Sequence, residues 1–370
     1  MHHNIYSKLS VSLALAGAII FSVPAFAQDH NHHNDSRAEA AHDTHDHTDS
    51  EGGHDVKTQI KETIEHHLAD SYEFTITEGV SFPLPVILFD EGLKVFSSSR
   101  FHHGESVAEV DGNYYLLYHS KIYKTDASGH LSMDEHHHPT NIMPLDFSIT
   151  KNVFMILVMA GFMFFLFKAV AKAYQSGQTP KKAGRFLEPI IIYVRDEIAI
   201  PNIGEKHYKK YMSYLLTVFF FIWFMNLVGM TPLGINVTGN IAITFCLALI
   251  TFIITQVSGN KHYWQHILWM PGIPVILKPV MAIIEILGLF IKPFSLMMRL
   301  YANMLAGHVV IMSIIGLIFV FGSWLIAPAF FGLTLVLSLL EVLVAALQAY
   351  IFTMLTALYF GSAVEDHEHH

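Results

Sequence analysis

The chain has 370 residues, of which 52% are hydrophobic and only 14% are charged, against about 25% charged in ordinary soluble domains. With a mean hydropathy of +0.40, this composition indicates a membrane protein rather than two soluble domains. The net charge of −9 mainly reflects the part before residue 140, which holds 18 of the 25 histidines; no basic stripe is present, so nucleic acid is not expected as a partner.

Residues 1–27 are typical of a signal peptide. Lys8 provides the positive flank, Leu9 to Val23 the apolar core, and Ala25-Phe26-Ala27 the small-residue cleavage pattern. The alternative is an uncleaved transmembrane helix, but a core of about 15 residues is short for a crossing. We therefore predict a bacterial envelope protein whose mature N-terminus, at Gln28, lies in the periplasm.

Residues 28–70 form a His-rich, acidic segment with few large apolar groups, so the sequence predicts disorder, with a short helix over 57–69. Its histidine clusters, together with one near the end of the following region, suggest weak capture of Zn²⁺ or Cu²⁺, or pH sensing, outside the membrane. The candidate metal ligands are His30, His32, His33, His136, His137 and His138.

Residues 71–149 are predicted to form a small periplasmic domain that contains β-strands. One candidate strand is Tyr72 to Thr77, and another is Tyr114 to Lys124, which follows the turn signal Asp111-Gly112-Asn113.

The membrane domain is predicted to occupy residues 150–364. Asn152 to Val170 is long enough to cross the bilayer, and the lysines that follow it mark the cytoplasmic side. Leu187 to Asn202 has the apolar spacing of an amphipathic helix in the membrane interface. Tyr211 to Met230 and Ile241 to Val257 are two more spans.

Two later apolar stretches, Ile273 to Phe321 and Pro328 to Val364, are too long for upright crossings. Either each contains more than one segment, or the helices are strongly tilted. Five crossings place the His-rich tail, residues 365–370, in the cytoplasm. The single cysteine, Cys246, lies in an apolar run and can form no intrachain disulfide.

Arg299 is the most informative polar residue, because arginine keeps its charge and a charge at membrane depth is costly. It cannot carry a proton, but it can hold a nearby carboxylate ionised. Asn303 and Gly307 follow on the same helix face, and Gly307 permits close approach of another helix. The alternative, an arginine that reaches water at the interface, is disfavoured by its depth.

Other polar residues suggest a proton path. Glu285 lies near the Arg299 face, about 21 Å away along an ideal helix, where it would line a watery path or lie at the interface. Lys292 is expected to reach water or a carbonyl freed by Pro293. His308 and Glu341 should make contact between antiparallel helices, either as a titratable couple or as a structural ion pair.

Two sequence motifs resemble the signatures of a known family, subunit a of F-type ATP synthases. Leu296-Met-Met-Arg-Leu-Tyr-Ala-Asn-Met-Leu-Ala-Gly-His308 resembles its arginine signature, and Ala346-Leu-Gln-Ala-Tyr-Ile-Phe-Thr-Met-Leu-Thr356 resembles its last-helix pattern. The resemblance covers about residues 150–363. Some bacterial members carry Glu where His308 stands and His where Glu341 stands, and a typical bacterial member has only a short N-terminal segment in place of residues 28–149.

The resemblance implies an all-α polytopic membrane protein with five embedded helices, the last two long and tilted, and one interfacial helix. It implies a proton-conducting stator subunit without a cofactor, located in the bacterial inner membrane. Its partners would be the c-ring, the subunit b stalk, the rest of the ATP synthase and lipid, and the choice between H⁺ and Na⁺ would depend mainly on the c subunit. The chain itself would perform no covalent chemistry.

The resemblance also implies individual roles. Arg299 would face each passing rotor carboxylate, and Glu285 would lie in the half-channel open to the cytoplasm. The half-channel open to the periplasm would be lined by Asn303, His308, Glu341 and Gln348. The rival hypothesis is a divalent-metal transporter with a His-rich external sensor, but the predicted spans contain no ligand cluster beyond His308 and Glu341.

Overall fold

The computed structural model describes residues 70–77, 80–104, 106–134, 138–175, 183–231, 235–269, 274–321 and 327–365. The predicted signal peptide, the His-rich segment through residue 69 with its predicted helix, and residues 366–370 lie outside these ranges.

The described residues between 70 and 150 contain eight short strands, which confirms the predicted β-structure. They pair as β1–β2, β4–β3–β8 and β5–β6–β7, and all pairs are antiparallel. Alternate residues such as Val86, Leu88 and Phe96 point inward and form a core with Phe101 and Tyr115. The strands are Glu73–Thr77, Val80–Pro83, Pro85–Phe89, Leu93–Ser97, Ala108–Val110, Asn113–Tyr118, Lys121–Thr125 and Leu145–Asp146.

The prediction of one strand from Tyr114 to Lys124 is wrong, because this stretch is a two-stranded hairpin. Tyr118 pairs with Lys121, and His119 and Ser120 form the turn with φ angles of 45° and 60°. Tight hairpins need this left-handed backbone, which Gly and Asn usually provide. His119 and Ser120 give no such signal, so the sequence reads as one continuous strand.

The β-domain is attached directly to the first membrane helix, α1, which spans Lys151–Gln175. Asp70 accepts a hydrogen bond from the backbone N–H of Asn152, and the backbone N–H of Lys151 donates to the carbonyl of Ser71. Burial raises the pKa of the Asp70 carboxyl, and the bonds from its neighbours lower it in part. The residues just before β1 are therefore held against the first turn of α1.

Most of the remaining described chain is helical. An amphipathic segment comprises α2 (Ala183–Tyr193), a π-helical stretch (Val194–Ala199) and α3 (Ile200–Ile203). Then come α4 (Tyr208–Gly229), α5 (Ile241–Ser258), α6 (Lys261–Leu268), α7 (Lys278–Phe321) and α8 (Ala327–Val364). Among the described residues, α1, α4, α5, α7 and α8 are long and apolar enough to cross a membrane.

The amphipathic segment has the two faces that its spacing predicts. Val194 and Ile198 are buried against the helices, whereas Arg195, Asp196 and Glu197 are exposed. Its position in the membrane interface remains a prediction.

The first oversized apolar stretch forms one continuous helix from Lys278 onward, and the second lies wholly within α8. Pro293 lies inside α7 without interrupting it. The 44 residues of α7 span about 66 Å, roughly twice the 30 Å hydrocarbon core of a bilayer. The sequence left two alternatives, several segments in each stretch or strongly tilted helices. The structure excludes several segments, so tilted helices remain.

The end of α8 is fixed by contacts with distant parts of the chain. Asn260 donates its backbone N–H to the carbonyl of Ala363 and its side-chain amide to that of Val364, so it satisfies two terminal carbonyls of the helix. Gly361 lies directly against the backbone of Asn202, where a Cβ atom would overlap the carbonyl oxygen.

Replacing Gly361 with alanine should destabilise the membrane domain by about 3 kcal/mol, because the obstructing atom is rigid backbone. Thermal unfolding of the purified, detergent-solubilised chain measures the effect as a lower Tm. Gly332→Ala is the matched control on the same helix, since nothing lies within 4 Å of its added methyl group. Equal Tm values for the two variants would contradict the close packing at Gly361.

Candidate functional site

Arg299 lies near the middle of α7 and is half-buried. The face around it is open in this chain and carries small side chains, which allow another helix to come close. The exposed residues of this small-residue stripe are Ser295, Ala302, Asn303 and Ala306. Asn303 therefore lies on the same open surface as Arg299, as its spacing predicts.

His308 and Glu341 lie behind this surface and are both buried. The Nδ1 atom of His308 is 3.4 Å from Oε1 of Glu341, so the predicted contact between α7 and α8 is present. Gly307 makes room for it, because a Cβ at this position would lie 2.8 Å from the same carboxylate oxygen. A carboxylate and an imidazole at this distance form a couple that can exchange a proton.

Gln348 is buried on α8, two turns beyond Glu341 and on the same face of the helix. Glu285 is separate from this group: it is half-buried four turns before Arg299 on α7. Burial raises the pKa of the Tyr263 hydroxyl, and the negative charge of Glu285 raises it further, so Glu285 lies near α6. Along α7, Glu285 thus lies before Arg299, and the His308–Glu341 contact lies after it.

A small cavity with both apolar and polar lining residues lies between α5, α6, α7 and α8, on the Glu285 side of Arg299. We call it the Lys292 cavity; its polar lining includes Thr251, Thr255, Gln256, Tyr263, Lys292 and Tyr359. The Lys292 ammonium lies 5.7 Å from the centre of the Tyr359 ring. The expectation that Lys292 reaches water or a freed carbonyl therefore missed its aromatic partner.

A second polar cluster was not recognised in the sequence. Asn226, inside α4, accepts a hydrogen bond of 2.7 Å from the hydroxyl of Thr238, in the connection between α4 and α5. Both side chains are buried, and the Asn226 amide nitrogen has no partner among the described residues. The sequence offered one signal for this cluster: Asn226 is a polar residue within an apolar run.

The described residues contain no group of three or more side chains suited to hold a metal ion. His138 is described and its backbone N–H donates to Asp134, but His30, His32, His33, His136 and His137 lie outside the described ranges. External metal binding by those residues therefore stays a prediction.

Two sequence models of protein families match the chain. A model of the ATP synthase A chain matches residues 153–361, a range that includes Arg299, the His308–Glu341 couple and the Lys292 cavity. A model of a domain of unknown function (DUF8433) matches residues 63–147, which include all the strands of the N-terminal domain.

The chain is also similar to proteins named ATP synthase subunit a. The protein from Myxococcus xanthus is 44% identical over 232 residues, which cover 61% of this chain and 76% of the relative. One from an Anaeromyxobacter species is 36% identical over 332 residues, or 86% of this chain and 74% of the relative. The second alignment therefore extends well into the region before α1. A relative from Chloroherpeton thalassium is 41% identical and covers 60% of this chain and 69% of the relative.

Cross-linking can test the contact between α7 and α8. After replacement of Cys246 by serine, the double variant His308→Cys with Glu341→Cys should cross-link with a short bifunctional thiol reagent, because the native side chains are 3.4 Å apart. The two halves stay covalently joined when a protease site introduced between α7 and α8 is cut. Pairing His308→Cys with Leu340→Cys is the control, since Leu340 is exposed on another face of α8. Equal cross-linking of both pairs would contradict this rotation of α8 relative to α7.

Proposed function

Because this chain belongs to the ATP synthase A chain family, we propose that it is the proton-conducting stator subunit of a rotary F-type ATP synthase. In this role it provides two offset half-channels and one fixed positive charge between them. ATP itself is made elsewhere in the complex, and this chain performs no covalent chemistry.

The position of Arg299 carries the proposal. A permanent cation in an apolar helix is costly unless an anionic group can approach it. The small-residue stripe leaves space beside the guanidinium for a helix from another subunit. We infer that this helix belongs to the c-ring, whose carboxylates pass Arg299 one after another.

The outer half-channel is assigned to the buried group on one side of Arg299. His308 and Glu341 pass protons, and Gln348 and Asn303 line the route toward the rotor surface. Support comes from the 3.4 Å contact between His308 and Glu341 and from the burial of Gln348 on the same helix face.

The inner half-channel is assigned to the side that contains Glu285. A rotor carboxylate receives a proton from the outer path, becomes neutral and can then pass through lipid. After almost a full turn it meets the field of Arg299, which lowers its pKa, and it releases the proton toward Glu285. Arg299 never titrates, so it separates the two paths without carrying protons itself.

The proposed setting is the bacterial inner membrane. The signal peptide and the lysines that follow α1 favour a periplasmic N-terminal domain and a cytoplasmic C-terminus. In addition to the c-ring, the partners are the subunit b stalk, the other ATP synthase subunits and membrane lipid. The alternative of a divalent-metal transporter is not favoured by the family match.

Arg299→Ala should lower proton-driven ATP synthesis by roughly 10²-fold or more, the range seen when one preorganised charge-stabilising group is removed. Arg299→Lys should also be severely impaired, because lysine can lose its proton and lacks the planar guanidinium. The measurement is ATP synthesis by inverted membrane vesicles, normalised to the amount of assembled complex on native gels.

Arg195→Lys is the matched control. Arg195 is an exposed arginine that pairs with the adjacent Asp196, so synthesis should be retained. Coupled synthesis by an assembled Arg299→Ala complex would contradict the proposed function.

A further inference from the structure

Four charged residues recur at intervals of seven along α7: Lys278, Glu285, Lys292 and Arg299. Seven residues make nearly two turns, so these positions follow one side of the helix at steps of about 10 Å. Lys292 is the member closest to Arg299. The family resemblance of the sequence implies no function for it.

The structure gives Lys292 a specific environment. Its side chain forms part of the wall of the Lys292 cavity, and its ammonium faces the ring of Tyr359. Tyr359 in turn is close enough to Arg299 to interact with its charge. The Lys292 cavity therefore approaches the surroundings of Arg299 from the side of Glu285.

Other polar groups continue the cavity toward α6. The hydroxyl of Tyr263 lies 3.4 Å from Oε1 of Gln256, and Glu285 is near Tyr263. The titratable and charged groups around Lys292 are thus Tyr359 from α8, Tyr263 from α6, and Glu285 and Arg299 along α7. Of these, Glu285 is the acidic one.

We propose that Lys292 is a positioning residue for proton release: its ammonium makes the Lys292 cavity more positive and so favours the deprotonated form of a rotor carboxylate that has reached Arg299. This inference rests on the proposed function. Lys292 does not touch the rotor or carry the proton. It acts through the potential in the cavity, with the aromatic face of Tyr359 holding the ammonium in place.

The expected size of the effect follows from the spacing. A unit charge about 10 Å away, at an effective dielectric constant of about 20, changes the proton affinity of an acid by about one pH unit. Without the ammonium, the rotor acid binds its proton more tightly, so release requires a higher cytoplasmic pH. Glu285 has the opposite sign and lies twice as far from Arg299, so it does not cancel the effect.

The test is the dependence of ATP synthesis on cytoplasmic-side pH, measured in inverted vesicles that contain the whole complex. The total driving force is held constant with a compensating potassium diffusion potential. Lys292→Met should move the midpoint of this dependence upward by about one pH unit. Lys292→Arg should restore the original midpoint because it keeps the charge and the contact with the ring.

Lys278→Met is the matched control, because it removes the same charge about 31 Å from Arg299, roughly four Debye lengths in physiological salt, whereas the half-buried Lys292 is only about 10 Å away and is screened far less. Its midpoint should be unchanged. A normal midpoint in Lys292→Met, or an equal shift in Lys278→Met and Lys292→Met, would overturn the proposal for Lys292. Neither result would affect the proposed function, which fails only if an assembled Arg299→Ala complex still couples.

Discussion

The guanidinium of Arg299 cannot lose its proton, yet it lies near the middle of a 44-residue apolar helix. Its cost in a medium of low dielectric constant has to be offset by polar or anionic groups that reach it. Within the described part of this chain, no acidic side chain forms an ion pair with it. The open, small-residue stripe beside Arg299 gives an acidic group from another subunit direct access to the guanidinium. The proposed rotor contact would therefore account for a permanent charge at this depth.

The other polar groups are arranged around this charge on two sides. Toward the C-terminal part of α7, the missing side chain of Gly307 lets Glu341 approach the helix and reach His308. Toward the N-terminal part, Lys292 and Tyr359 lie between Arg299 and the region of Glu285. In the proposed function this separation matters, because a continuous polar route past Arg299 would let protons cross without turning the rotor.

The end of α8 is held by contacts with two distant parts of the chain. Asn260 binds the terminal carbonyls of α8, and Gly361 packs against the backbone of Asn202. The N-terminal domain is likewise fixed to α1 through Asp70 and Ser71, and its match to a domain of unknown function shows that this part also recurs elsewhere.

Much of the membrane domain was predictable from the sequence, because the length of an apolar run is a local property set by bilayer thickness. The five long helices and the position of Arg299 follow from it. The contact between His308 and Glu341 could be predicted because both residues fall at similar depth on antiparallel helices. The family resemblance then gave these residues roles that their spacing alone did not.

Other features depended on tertiary structure. The turn at His119 and Ser120 has no sequence signal, and the partners Asn260 and Val364 are 104 residues apart. The pairs Lys292–Tyr359 and Asn226–Thr238 likewise join different elements. Such contacts depend on how helices rotate and approach one another, and hydrophobic periodicity fixes the buried face of a helix without fixing which neighbour covers it.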